Sequence, residues 1–361
     1  MGDMDNRPFF ALVRLGLDLG GEDFSYVLAD AQWKEVMDMG YRQSLFGVMM
    51  DGIARLKPEQ RPPRELMMRG MQMLMKIENT NRLLNRRVRE TVDFFEKEGF
   101  GTCLLKGQGL AALYPNPMHR MPGDIDLWLT DGRERVTDFL RKRFGKVEAV
   151  YHHVDCPMWE DIEVEVHTTP SWMNCPVTNG TLQRMFDGWK ERTAKVTLPG
   201  EGEVPVPSDE MNRVYVLLHI YRHLFQEGIG LRQLADYCMV LKKGMDDGER
   251  RCMAEQLERL HMTRFATAVM YVMGEVFGLP REMMPVEPSE RYGRRLLDEV
   301  MRAGNFGRYD ERIDRRKNAT EAGRFCQRIV RGGRFVTDYP RETLWMGPFK
   351  LWHYVWRKRH N

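Results

Sequence analysis

The chain has little cysteine: six residues in 361, at positions 103, 156, 175, 238, 252 and 326. No two of them form a Cys-x-x-Cys pair. That excludes a zinc ribbon and argues against a disulfide scaffold, so a reducing, cytoplasmic setting is expected. There is no apolar run of about 18 residues, and no membrane span is expected. The opening MGDMDNRPFF has no basic stretch leading into an apolar one, so no secretory leader is expected either. Internal repeats and low-complexity tracts are lacking. No Ser/His/Asp or Cys/His set stands in a recognisable motif. What is plentiful is apolar and mixed-charge sequence: 42% hydrophobic and 30% charged residues mark a globular chain long enough for two or three domains. The 27 methionines suit a pliable core or adaptable binding surfaces.

Charge is uneven. From Arg291 to Asn361 eighteen Lys/Arg face eight Asp/Glu, a net of +10, and with +3 overall the first 290 residues carry −7. A basic tail on an acidic body suggests an acidic partner or the body itself. The last stretch interleaves Trp345, Phe349, Trp352, Tyr354 and Trp356 with Lys350, Arg357, Lys358 and Arg359. Two readings stand: a terminal helix that docks its aromatics with basic heads outward, which we favour, or an RNA-contacting tail.

Apolar spacing of three and four marks residues 1–98 as helical, with one period starting from Phe24 to Gln32 and a longer one from Leu66 to Phe95, punctuated at Lys57-Pro58 and Pro62-Pro63. From Gly99 the pattern changes. Thr102–Leu105 is a short buried strand, Gln108–Tyr114 a short helix, and Asp124–Leu129 alternates as a strand. Asp131–Phe144 is helical, and Val147–Val154 and Asp161–Thr168 are strands. A helix follows around Leu182–Trp189, then a hairpin over Lys195–Val206 turning at Pro199-Gly200. Ser208 opens a long helical region. The expected fold class is α+β: a small mixed-sheet core over 99–207, flanked by helical regions at 1–98 and 208–361, the latter ending in the basic aromatic tail.

The chemistry should sit in the core. In DIDLWL, Asp124 and Asp126 share one strand face, and Ile125, Leu127 and Leu129 the other. Two such carboxylates repel unless something positive joins them, and a divalent cation does so economically. On the second alternating strand Glu163, Glu165 and His167 share a face. If the strands are neighbours, one glutamate completes a carboxylate trio able to hold metal for phosphoryl displacement. A half-exposed acidic face is the plainer alternative. Upstream, LLKGQGLAALY ends a strand at Lys106-Gly107 and starts a helix near Gln108, a turn suited to an anion. It is neither a GxxxxGK[ST] loop nor a GxGxxG loop.

Taken together, Lys106-Gly107-Gln108, then Asp124-Ile125-Asp126-Leu127, then Glu163 to Glu165 resemble the nucleotidyltransferase superfamily of polymerase-beta-like fold. More narrowly, the run from Leu104 to Tyr237 (KGxxLAxLYxxPxxRxxGDIDLWL, EVH, LLHIYRHLFQEGIGLRQLADY) looks like a bacterial family of uncharacterised nucleotidyltransferases. The resemblance implies Asp124, Asp126 and Glu165 as catalytic and metal-binding carboxylates for Mg²⁺ or Mn²⁺, and Gly107 as the phosphate-loop glycine. Lys106, Gln108 and Arg120 join it as nucleotide-binding candidates. Gln108 stands where the wider superfamily has Ser, and Glu165 where Asp is commoner.

Possible substrate contacts are Glu163, His167, His219, His223 and Arg232. Four-residue spacing puts His219 and His223 on one helix face, but Arg222 between them argues against a metal. Arg222, Arg232 and Asp236 fit either a buried ion pair or a lobe facing the cleft, and Arg120 fits either a phosphate contact or surface exposure. His152 and His153 read as ordinary strand residues. The expected activity is Mg²⁺-dependent transfer of a nucleoside monophosphate from a nucleoside triphosphate, ATP among them, to a hydroxyl of a protein, RNA or small molecule. The alternative is a non-catalytic nucleotide- or RNA-binding module on the same fold.

Overall fold

A computed structural model describes residues 5–20, 24–312 and 321–360. Four helices come first: α1 (Arg7–Gly16), α2 (Asp30–Arg42), α3 (Phe46–Ala54) and α4 (Arg64–Lys97). The helical period expected from Phe24 is not a helix at its start. Ala29 is extended, and Gln32 Oε1 accepts its N–H at 2.9 Å, capping α2. The preceding residues instead seat Phe24 against Trp33, with ring centroids 6.3 Å apart. α4 buries Ile77, Leu84, Val88, Val92 and Phe95 at helical spacing.

Four strands, β1 (Thr102–Leu105), β2 (Ile125–Leu129), β3 (His153–Cys156) and β4 (Val164–His167), form one sheet in the order β1-β2-β4-β3. β2 and β4 run parallel, and the outer pairs are antiparallel. Only part of the expected third strand pairs: 147–152 is irregular apart from an Ala149–Val154 bridge. The acidic alternation pairs only over 164–167. Between strands lie α5 (Gly107–Ala111), shorter than expected, and α6 (Arg133–Phe144). One sheet face packs Ile125, Leu127, Leu129, Val154 and Val166 against Val136 and Leu140 of α6 and the apolar stripe of α4.

α7 (Pro176–Trp189) begins six residues earlier than its apolar spacing indicates, with Pro176 in its first turn. The hairpin β5 (Thr193–Leu198) and β6 (Gly202–Pro207) follows, with Gly200 at φ +82° in its turn. Ser208 caps α8 (Asp209–Gln226), its hydroxyl accepting the Met211 N–H at 3.3 Å. Then come α9 (Leu231–Lys242), α10 (Asp247–Arg259), α11 (Thr263–Phe277), α12 (Glu290–Ala303), α13 (Glu321–Gly333) and α14 (Pro340–His360).

The architecture is α+β, a small mixed sheet within a mainly helical chain. The helices before and after the sheet are not separate layers: Phe9, Leu12 and Phe46 share one apolar core with Val214, Leu217, Phe265 and Phe277. That shared core holds α8 and α9 against the sheet's second face. Methionine serves both ways, buried at 37, 49, 270 and 273 and exposed at 68, 71 and 75 along α4. All six cysteines are unpaired. Among the described residues no helix is long and apolar enough to cross a membrane.

Candidate active site

The sheet's second face is polar because of strand register. Asp126 lies opposite Leu105 and beside Glu165, Glu165 opposite Asp155, and His167 opposite His153. Over this face opens a cavity of about 1180 Å³, walled by side chains from the sheet, α8, α9, α13 and α14.

Lys106 sits at the end of β1 with φ +49° and Gly107 at +45°. Few non-glycine residues adopt such a backbone, and it tends to mark functional turns. Here it accompanies Lys106 Nζ at 2.8 Å from Asp126 Oδ1. Burial works against the ammonium's charge, but Asp126, with Asp124 and Glu165 behind it, outweighs burial and raises its pKa. Asp126 is 2% exposed. Burial would raise its carboxyl, yet Lys106 and His167 hold it below the usual range. His167 Nε2 lies 2.9 Å from Asp126 Oδ1 and 3.4 Å from Glu165 Oε2. Glu165 is likewise kept low against burial by His153, whose Nδ1 is 3.0 Å away, and by His167. Asp124, just ahead of β2, opens onto the cavity. Its carboxyl is raised, first by the charge of Asp126 and then by burial.

The other sequence candidates divide. Gly107 lines the cavity, but the Gln108 side chain turns away to donate to Asn85 of α4. Arg120 is buried rather than at the surface, with Nε and Nη2 at 2.7 and 2.8 Å from the two oxygens of Asp236. The buried pair considered for Arg232 and Asp236 is thus taken by Arg120. Arg232 reaches the carbonyls of Met121 and Pro122 and lines the cavity. His219 and His223 also line it, rings 4.3 Å apart, with His223 Nδ1 3.2 Å from Glu227. Glu163 is exposed, and its carbonyl merely accepts the Ile125 N–H.

Sequence reasoning missed three cavity residues, His152, His153 and Lys350, and left a fourth, Arg222, open between a buried pair and a cleft-facing lobe. His152 and His153 face the cavity rather than serving as plain strand residues. Arg222 is 9% exposed, stacks over Trp172 and donates to Ser171 Oγ at 3.0 Å, while its Nε has no partner among the described residues. Lys350 of α14 also lines the cavity, its buried Nζ 5.6 Å from the Phe325 ring and without a hydrogen-bond partner among the described residues, and burial lowers it to about 7. The Lys/Arg-aromatic alternation of the tail was its only signal.

That tail is a docked helix. Tyr339, Glu342 and Met346 are buried, and Phe349 and Trp352 pack edge-on against Tyr151. Yet Trp345 and Trp352 remain half exposed, so burial of all three tail tryptophans does not occur. Instead Phe349, Lys350, His353, Tyr354, Arg357 and Lys358 border the cavity.

The donor atoms of Asp126, Glu165 and His167 lie within 4.8 Å of one another, with Asp124 outside that cluster but facing the same space. Clustered carboxylates, one raised by its neighbour's charge, fit a divalent cation. Buried cations such as Arg222, without a carboxylate partner among the described residues, fit a bound polyanion, since leaving them uncompensated costs several kcal/mol, on the order of the penalty for any buried charge.

A family model described as "Uncharacterised nucleotidyltransferase" matches residues 29–278. Among solved structures, an antigenic nucleotidyltransferase-like protein from Paracoccidioides brasiliensis is similar at 13% identity, covering 58% of this chain and 96% of that one with a TM-score of 0.37. None of the curated proteins matches this chain.

Proposed function

Because the chain belongs to the family of uncharacterised nucleotidyltransferases, we propose that it transfers a nucleoside monophosphate from a nucleoside triphosphate to a hydroxyl acceptor, using the cavity over the sheet. The observation that carries this is the convergence of Lys106, Asp124, Asp126 and Glu165 on one cavity from three elements distant in sequence. Asp124, Asp126 and Glu165 would hold Mg²⁺ or Mn²⁺. Such an ion supplies charge neutralisation at the phosphates and the acceptor oxygen.

The protein groups do the rest. Lys106 and Arg222 offer fixed positive charge to phosphate oxygens. Arg120, clamped by Asp236, is a positioning residue under the turn that carries Asp124. The acceptor oxygen bonds to the α-phosphorus while its proton passes to solvent in the open cavity, the bond from that phosphorus to the bridging oxygen breaks, and pyrophosphate leaves. Glu165 is held ionised by two histidines and is suited to binding charge rather than to taking a proton near neutral pH. Catalysis is then mainly positioning and electrostatic stabilisation. Lys350, Arg357 and Lys358 of α14 at the cavity rim suit a phosphate-bearing acceptor, RNA among them. The unpaired cysteines suit a reducing, cytoplasmic setting.

One observation favours a second reading, nucleotide binding without turnover: Gln108, in the phosphate-loop serine position, is committed to Asn85. Purified protein incubated with Mg²⁺, each of four α-labelled triphosphates and cell extract separates the two. Label joined covalently to an acceptor, and lost in Asp126→Asn, supports transfer. Retention of nucleotide with no covalent label from any triphosphate means binding alone.

A further inference from the structure

We propose that His152, His153 and Glu165 form a second metal site, selective for a borderline transition-metal ion of the Zn²⁺ class over Mg²⁺. His152 Nε2 lies 3.1 Å from His153 Nδ1, and His153 Nδ1 lies 3.0 Å from Glu165 Oε2. All three donor atoms fall within 4.8 Å of one another. Ligands at zinc-like bond lengths in a tetrahedral shell stand roughly 3.4 Å apart, so small movements suffice to seat an ion. Two ring nitrogens that face each other at hydrogen-bond distance need one shared proton, or an ion accepting both lone pairs. Imidazole favours Zn²⁺ and neighbouring ions such as Co²⁺, whereas Mg²⁺ and Mn²⁺ take hard oxygen ligands.

The surroundings have the form of a ligand shell. His153 turns its other nitrogen, Nε2, to Asp155 Oδ1 at 3.2 Å. A carboxylate behind a histidine is the usual means of fixing a metal-binding ring. The His152 ring packs on Trp172, centroids 3.9 Å apart, and its backbone carbonyl accepts the Thr168 N–H at 2.8 Å. Both histidines border the cavity, which leaves room for a water or substrate oxygen as a further ligand. Glu165 belongs to this group and to the Asp126–Glu165–His167 group, so its carboxylate stands between a hard site and a borderline one. The inference shares Glu165 with the proposed transfer centre but rests on its own donor set, and it is read without nucleotide.

The test uses the full-length protein, stripped with EDTA and titrated with Co²⁺ while visible absorption is followed. The expected result is a saturable absorption band, displaced by equimolar Zn²⁺ but not by a large excess of Mg²⁺. Its affinity should fall at least about tenfold in His152→Ala and His153→Ala, be kept in Asp124→Asn, and weaken about tenfold in Asp155→Asn. Asp155 is exposed, so that variant tests the site even if a histidine variant fails to fold, as read by circular dichroism. Absence of a band, a band unchanged in the histidine and Asp155 variants, or equal displacement by Mg²⁺ overturns the site. A signal lost only in Asp124→Asn and Asp126→Asn also overturns it, while leaving the transfer reading intact. Failure of nucleotidyl transfer alone leaves the Co²⁺ result, and this inference, standing.

Discussion

Asparagine at position 124 and asparagine at position 126 should have opposite effects on stability, although both remove one carboxylate from the same pair. Asp126 is buried and compensated, with Lys106 Nζ at 2.8 Å and His167 Nε2 at 2.9 Å. Asp126→Asn removes the charge that holds both. Breaking a buried pair costs about 3–5 kcal/mol, and a single charged hydrogen bond about 1.5–3 kcal/mol. The Lys106 side chain is 15% exposed to the cavity and asparagine still accepts a hydrogen bond, so about 2–3 kcal/mol is expected. Among the described residues Asp124 has no such ion-pair partner, and it is raised chiefly by Asp126. Asp124→Asn relieves that repulsion and should stabilise by less than about 1 kcal/mol after solvent screening.

The assay is thermal unfolding in EDTA, where bound metal adds nothing. At about 2 °C per kcal/mol for a chain of this size, Asp126→Asn should melt roughly 4–6 °C lower and Asp124→Asn slightly higher. The pH dependence has matching signs. Asp126, depressed on folding, stabilises above the ordinary carboxylate range, and that contribution is lost as pH falls through its folded value, so its variant converges with the parent in acid. Asp124, raised on folding, weakens the fold as pH rises through its folded value. The gain in Asp124→Asn is therefore present at neutral pH and vanishes below about 3.9. Equal melting of the two variants, or a more stable Asp126→Asn, would refute the reasoning.

Further outcomes follow from the same geometry. Glu165→Gln should lower nucleotidyl transfer by about 10²-fold or more through lost charge at the phosphates, while Glu163→Gln, exposed and outside the cavity, stays within about twofold in labelled-nucleotide kinetics. His119, 2.6 Å from Asp51 and 3.0 Å from Glu78, is raised because these partners outweigh its burial. Its contribution is full below about pH 6.5 and lost as pH rises through the raised value, so His119→Gln should depress melting most at pH 6 and progressively less above it. Deleting 340–361 should lower the melting temperature, since Met346 alone buries about 1.5–3 kcal/mol of apolar surface. Unchanged melting of the truncated chain would mean that α14 is not held by the body.

The site was legible in the sequence where it follows strand periodicity and opaque where it follows long-range pairing. Alternation in DIDLWL and DIEVEVH placed Asp126, Glu165 and His167 on polar faces, but only the parallel β2–β4 register puts Asp126 beside Glu165. That register also leaves Glu163 ahead of β4, so strand parity alone did not separate the two glutamates. His152 and His153 carry no periodic signal. They enter the cavity because β3 pairs antiparallel with β4, at the far edge of the sheet. The Arg120–Asp236 pair joins residues 116 apart, and no local spacing announces it. Helical ends were read best where a cap is local, as at Ser208, and worst where tertiary packing decides, as in the extended segment before α2 that seats Phe24. The tail's aromatic content indicated docking, but its role as a cavity wall depends on Tyr151 and Trp172, about two hundred residues upstream.

The most direct measurement is an anomalous-scattering map from crystals of the protein grown with Mn²⁺ and a non-hydrolysable nucleoside triphosphate. The account predicts a Mn²⁺ peak between Asp126 and Glu165, facing Asp124, with the triphosphate alongside Lys106 and Arg222. Nucleotide bound elsewhere, or well-ordered nucleotide in the cavity with no metal peak against these carboxylates, would contradict it.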